Sequence, residues 1–116
     1  MSMPQSSPEF REKAQEYQQY DAQLNSLLMK KQNFQQQLTE TKHTLKELES
    51  VEETTEIFKM VGSILFKTDV AKTKEELKDK IELIEARLMS FDKQEKNFSA
   101  KLDQLGNELQ NMMKNE

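Results

Sequence analysis

The chain has no cysteine and no tryptophan, and among its 116 residues there are only two glycines, two prolines and one histidine. Each absence removes a class of explanation. Without cysteine there is no disulfide framework, no thiolate zinc site and no cysteine nucleophile. Both prolines, Pro4 and Pro8, stand close to Met1, so neither interrupts a helix in the remainder. No apolar run approaches the roughly 18 residues of a membrane span, and the stretch from Met1 to Pro8 lacks the basic-then-apolar pattern of a targeting segment. The hydrophobic share, 34%, is low for a globular core. Charge is mixed: 17 Lys and Arg against 21 Asp and Glu, a net −4 with both signs interspersed. No basic stripe recommends nucleic acid.

What is present is period-seven hydrophobicity in two long stretches, Phe10 to Leu48 and Leu77 to Met112. With Phe10 at a, the a positions are Phe10, Tyr17, Leu24, Lys31, Leu38 and Leu45, and the d positions are Lys13, Tyr20, Leu27, Phe34, Thr41 and Leu48. Lys13, Lys31 and Thr41 break an otherwise apolar stripe. In the second stretch Leu77, Ile84, Phe91, Phe98, Leu105 and Met112 take d, while Ile81, Leu88, Glu95, Leu102 and Leu109 take a, with Glu95 the one polar residue. Two such stripes facing each other make an antiparallel coiled coil, a rod with helices of about 60 Å. One register sets Tyr17 against Leu105 and Leu38 against Ile84; the alternative, shifted by a heptad, sets Tyr17 against Met112. In both, Lys31 and Glu95 fall in adjacent layers, which predicts a partly buried ion pair that penalises slipped registers.

Between the helices the pattern changes. Ile57-Phe58-Lys59-Met60-Val61-Gly62-Ser63-Ile64-Leu65-Phe66 is β-branched and aromatic, with Gly62-Ser63 able to supply a two-residue turn of the type with glycine first. Counting outward pairs Val61 with Ile64, Met60 with Leu65, Lys59 with Phe66 and Phe58 with Lys67. Ile57, Val61, Ile64 and Phe66 then share one face, and Phe58, Met60 and Leu65 the other. A lone hairpin apolar on both sides, with two free edges, would aggregate. The economical solution is for hairpins of several chains to close an oligomeric β-barrel from which the coiled coils project. Thr68, Asp69 or Thr73 can cap the second helix, and Thr73 with Glu76 has capping-box spacing. The fold class is therefore mainly α: a long antiparallel two-helix coiled coil with one β-hairpin between the helices. A single domain over residues 1–116 divides into a disordered tail (1–8), a first helix (9–50), the hairpin (55–68) and a second helix (70–114).

Glu56-Ile57-Phe58-Lys59-Met60-Val61-Gly62-Ser63-Ile64-Leu65-Phe66-Lys67 resembles the hairpin signature of β-class prefoldin subunits. Tyr17-Gln18-Gln19, Gln36-Gln37-Leu38-Thr39-Glu40, Ile84-Glu85-Ala86-Arg87-Leu88 and Lys93-Gln94-Glu95-Lys96 are similar to archaeal β subunits and to the sixth eukaryotic subunit. The resemblance covers residues 10–113. It implies a hexamer of two α-class and four β-class subunits (α2β4) that uses no ATP or other cofactor. Six coiled-coil tentacles would hold unfolded client proteins near their tips and hand them to a group II chaperonin. Ile57, Phe58, Met60, Val61, Gly62, Ile64, Leu65 and Phe66 would carry oligomerisation.

The tip implied for this chain gathers Phe10, Tyr17, Tyr20, Phe98, Leu102, Leu105, Leu109, Met112 and Met113 as client-binding residues. Most of these read equally well as ordinary seam residues; Met113 lies off the seam, and methionine suits a surface that accepts many shapes. Gly106, costing a helix about 1 kcal/mol relative to alanine, predicts local fraying there. His43 falls on the outer face, and no metal site or catalytic constellation can be assembled around it. The expectation is a cytoplasmic, non-enzymatic chaperone without nucleic-acid or membrane partners. The alternative is a scaffolding coiled coil or a tubulin-folding cofactor, neither of which has a role for a two-faced apolar hairpin.

Overall fold

The computed structural model describes residues 7–114, in the order α1 (Pro8–Glu49), β1 (Ile57–Val61), β2 (Ile64–Thr68) and α2 (Val70–Lys114). Residues 1–6 of the expected tail lie outside the described residues. Ser7 is the N-cap of α1: its Oγ accepts the Phe10 N–H at 3.1 Å and its carbonyl accepts the Arg11 N–H at 3.1 Å. Pro8 follows at the first helical position, where its missing N–H costs nothing. At the other end Ser50 donates through its hydroxyl to the Glu47 carbonyl at 2.8 Å, and Val51 N–H bonds the Leu48 carbonyl at 3.1 Å. These short-range bonds satisfy carbonyls that the helix leaves open where it stops.

Asp69 caps α2. Its Oδ1 accepts the Lys72 N–H at 2.6 Å, and its carbonyl accepts both the Thr73 N–H at 3.1 Å and the Thr73 hydroxyl at 2.8 Å. The capping box expected of Thr73 with Glu76 does not form. Thr73 already lies in the first turn, with its hydroxyl turned back to Asp69, and Glu76 faces the Lys59 ammonium at 3.6 Å.

The chain packs as two compact units, Met1–Gln32 with Met89–Glu116, and Asn33–Leu88. Within Asn33–Leu88 the most buried side chains are Val70, fully buried, and Ile84, 3% exposed. Val70 stands seven residues before Leu77, so the d series reaches back to the first residue of α2, farther than the Leu77 start read from the sequence. Thr41 occupies a seam position at 6% exposure, and its hydroxyl donates to the Gln37 carbonyl at 2.7 Å. Its one donor is thus satisfied inside its own helix, which lets a polar residue sit in an apolar layer.

Within the other unit Leu27, Phe91, Leu102 and Leu105 are buried. The Tyr20 and Phe98 rings meet in a tilted contact, centroids 6.1 Å apart. Gly106 lies beside the Tyr17 ring, and Lys31 reaches Asp92 and Glu95. These neighbours fit the register that sets Tyr17 against Leu105 rather than Met112.

Burying a Leu, Ile or Phe side chain is worth about 1.5–3 kcal/mol, which exceeds what any exposed pair along these helices supplies. Ile84→Ala is expected to lower unfolding free energy by about 2–5 kcal/mol. Leu83→Ala, at a side chain 63% exposed, should change it by no more than about 0.5 kcal/mol. Urea denaturation measures both, and equal losses would remove the seam as the source of stability.

Candidate functional site: an unpaired hairpin and the helix ends

The hairpin register is Ile57↔Thr68, Phe58↔Lys67, Lys59↔Phe66, Met60↔Leu65 and Val61↔Ile64, the pairing obtained by counting outward from Gly62-Ser63. Gly62 has φ +62° and no described non-glycine residue has a positive φ, so the turn is of the type that needs glycine at its first central position only. A Cβ at Gly62 would meet nothing within 4 Å. Glycine is required there by backbone conformation and not by crowding.

Directly paired residues share a face, so one side carries Ile57, Lys59, Val61, Ile64 and Phe66, and the other Phe58, Met60, Leu65 and Lys67. Both sides are open: Phe58 is 59% exposed and Met60 70%, while Val61, Ile64, Leu65 and Phe66 all lie between 51% and 60%. The sheet has two strands, leaving the outer edge of each without a ladder partner among the described residues. Charge collects toward the base, where Lys67 Nζ meets Glu56 Oε1 at 2.8 Å. There a groove of about 420 Å³ opens between Ile57, Phe58 and Lys59 and the helical residues Thr44, Glu76 and Leu77.

In the unit of Met1–Gln32 with Met89–Glu116, the residues singled out as a client-binding tip separate by burial. Leu102 and Leu105 are 9% and 6% exposed. Phe10, Tyr20, Phe98, Leu109 and Met112 are half-buried. Tyr17 and Met113 are exposed, at 36% and 47%. Two of the nine therefore present between a third and a half of their surface outward. Gly106 packs against Tyr17, and a Cβ built on it would lie 3.7 Å from Tyr17 Cε2, an ordinary contact distance.

Lys31 Nζ lies 3.0 Å from Glu95 Oε1 and 2.8 Å from Asp92 Oδ1. The pair read from the sequence is a trio, completed by Asp92. Donation to the carboxylates of Asp92 and then Glu95 holds the Lys31 ammonium above its ordinary pKa. A second cross-helix pair had no counterpart in the sequence reading. Lys13 Nζ meets Glu108 Oε2 at 2.7 Å. The signal was Lys13 itself, a charge at a d position. Its bond to Glu108 raises the Lys13 pKa, and the same bond lowers that of Glu108. The one histidine, His43, is exposed beside Glu47, with Nε2 3.2 Å from its carboxylate. Among the described residues no acid or histidine cluster is arranged to hold a metal, and no helix is long and apolar enough to cross a membrane.

The architecture is thus two long helices that pair antiparallel and carry between them a β-hairpin apolar on both faces. The family model described as "Prefoldin subunit" matches residues 11–116. The chain is 44% identical over 95 residues to the prefoldin subunit beta of Thermococcus onnurineus, covering 82% of each. It is 35% identical over 107 residues to that of Pyrobaculum calidifontis, covering 92% of this chain and 86% of the relative. The crystal structure of the prefoldin beta subunit from Thermococcus strain KS-1 superposes with a TM-score of 0.84 at 34% identity, covering 92% of this chain and 94% of that one. The chain belongs to the prefoldin family and is a prefoldin-type chaperone subunit.

Two predictions follow from the helix-end geometry. Because the Glu108 pKa is depressed from its ordinary 4.5, the stability that Lys13–Glu108 contributes is in place above that value and lost as pH falls through the depressed one. Because Lys13 is raised from 10.5, the same contribution is in place below 10.5 and lost as pH climbs through the raised value. Glu108→Gln should therefore be less stable than the parent at neutral pH, with the difference vanishing on acidification. Denaturation across pH reads this directly. Gly106→Ala is expected to raise stability by about 1 kcal/mol, since helix propensity improves and the added methyl finds ordinary contact. Slower hydrogen exchange from Lys101 to Met113 is the check.

Proposed function

We propose that this chain is a β-class subunit of an α2β4 prefoldin hexamer in the cytoplasm, a single functional domain with no catalytic activity and no nucleotide requirement. It captures non-native proteins at the ends of its helices and hands them to a group II chaperonin. The observation that carries this reading is the hairpin, apolar and open on both faces with two free edges. Such a surface is costly in water for an isolated chain, and it is consumed when hairpins of several subunits share one sheet. Ile57, Phe58, Met60, Val61, Ile64, Leu65 and Phe66 supply that contact, with Gly62 setting the turn. At the helix ends Tyr17 and Met113 are the outward contacts for clients, joined by half-buried Phe10, Tyr20, Phe98, Leu109 and Met112. Leu102 and Leu105 take part only where the seam opens. Lys31, with Glu95 and Asp92, holds the helices in register, since any slip would leave charges facing apolar layers.

The experiment is co-expression with an α-class prefoldin subunit, mass measurement of the complex, and a nucleotide-free test of aggregation suppression on a denatured protein. The parent should form a hexamer that suppresses aggregation. Phe58→Asp with Leu65→Asp should abolish the hexamer while leaving helix content by circular dichroism unchanged. A parent that stays monomeric with its α-class partner present, or a hexamer that does not suppress aggregation, would sink the proposal.

A further inference from the structure

Several features coincide where α1 begins and α2 ends. Lys13 Nζ meets Glu108 Oε2 at 2.7 Å, joining residues 95 apart in sequence. Glu108 Oε1 also accepts from Gln104 Nε2 at 3.4 Å. The bridge itself lines a mostly polar cleft of about 250 Å³, to which Tyr20 and Leu105 also contribute beside Glu16 and Lys101. Gly106 follows directly, in a place where a methyl group would fit, so packing gives no reason for the missing side chain. Leu102 and Leu105 are buried, whereas Tyr17 and Met113 are exposed. How much apolar surface this end offers therefore depends on how often the seam opens.

Helix ends open at small free-energy cost, and Gly106 lowers that cost further. An exposed ion pair adds little to a rigid core, but against an equilibrium this shallow a small term sets the population. The surroundings favour the polarity observed. Glu9 and Glu16 of α1 flank Lys13, and Lys101 of α2 flanks Glu108. We propose that Lys13 and Glu108 form an ionic latch governing how often the seam over Tyr20 and Leu105 opens, so that ionic strength regulates the surface offered to non-native chains. The latch rests on the proposed function only for its purpose; its opening is measurable without any client.

The test is hydrogen exchange on the full chain assembled with its α-class partner. Lys13→Met and Glu108→Gln should each speed exchange across residues 101–110 by about threefold at low salt, the size typical of breaking one exposed pair. Added salt should bring the parent up to the variants while leaving the variants unchanged, because screening acts on the pair they lack. Reversing both charges, Lys13→Glu with Glu108→Lys, should protect better than either single reversal. Glu47→Gln, which removes the charge beside exposed His43 at the far end of α1, should leave these amides as they were. Parent-like exchange in the single variants, or a double reversal no better than the singles, overturns the latch. In aggregation suppression the two single variants should capture more client than the parent at low salt, and faster exchange without added capture overturns the regulatory role. If Tyr17→Ser with Met113→Ser leaves capture intact, the helix-end reading of client binding falls instead, and the exchange data tell the two failures apart.

Discussion

A seven-residue apolar stripe that each helix can bury only against the other is the constraint from which the rest follows. Helices of this length are unstable singly in water, and their exposed pairs add only tenths of a kcal/mol each. Within Asn33–Leu88 the stripe closes around Ile84 and runs back to Val70; within the other unit it closes around Leu27, Phe91, Leu102 and Leu105. Polar residues enter the stripe only where they carry their own partners. Thr41 donates to the carbonyl one turn back, Lys31 has two carboxylates, and Lys13 has Glu108. Each intrusion is tolerated for a local reason.

The hairpin answers to a different constraint. Its ten strand residues cannot bury two apolar faces within one chain, because the helices engage it only near its base, where Lys59 reaches Glu76. Surface of this kind distinguishes a subunit from a self-sufficient domain. Membership of the prefoldin family accords with such a surface, and under the proposed function the chain divides its labour: one segment for assembly, the helix ends for clients.

Hard local rules made much of this legible in the sequence. A period of seven over many turns fixes which face of a helix is buried, and glycine first in a two-residue turn fixes every cross-strand pair from Phe58–Lys67 to Val61–Ile64. Rules with several solutions were less informative. Thr68, Asp69 and Thr73 could each have capped α2; the short carboxylate of Asp69 wins because it sits one residue before the helix begins. Long side chains escaped most completely. Heptad pairing places Cα atoms, whereas a lysine reaches across a layer to either side, so Lys31 collects Asp92 as well as Glu95, and Lys13 finds a glutamate at a position the heptad does not mark. Whether a tip residue is presented or concealed was likewise not readable, since Tyr17 and Leu105 face each other in the seam yet differ sixfold in exposure, 36% against 6%.

The arrangement of residues along the hairpin confers a direction on anything built from it. The two pairs next to the turn, Val61–Ile64 and Met60–Leu65, are wholly apolar, whereas the next two toward the base each contain a lysine, Lys59 and Lys67. A ribbon greasy at its crest and ionic at its foot, where Lys59 and Lys67 face Glu76 and Glu56, cannot be inverted against a neighbour of the same kind without setting charged groups on hydrocarbon. Under the proposed assembly, a sheet shared by such ribbons would have a built-in up and down, and the arms on every subunit would leave from the same rim.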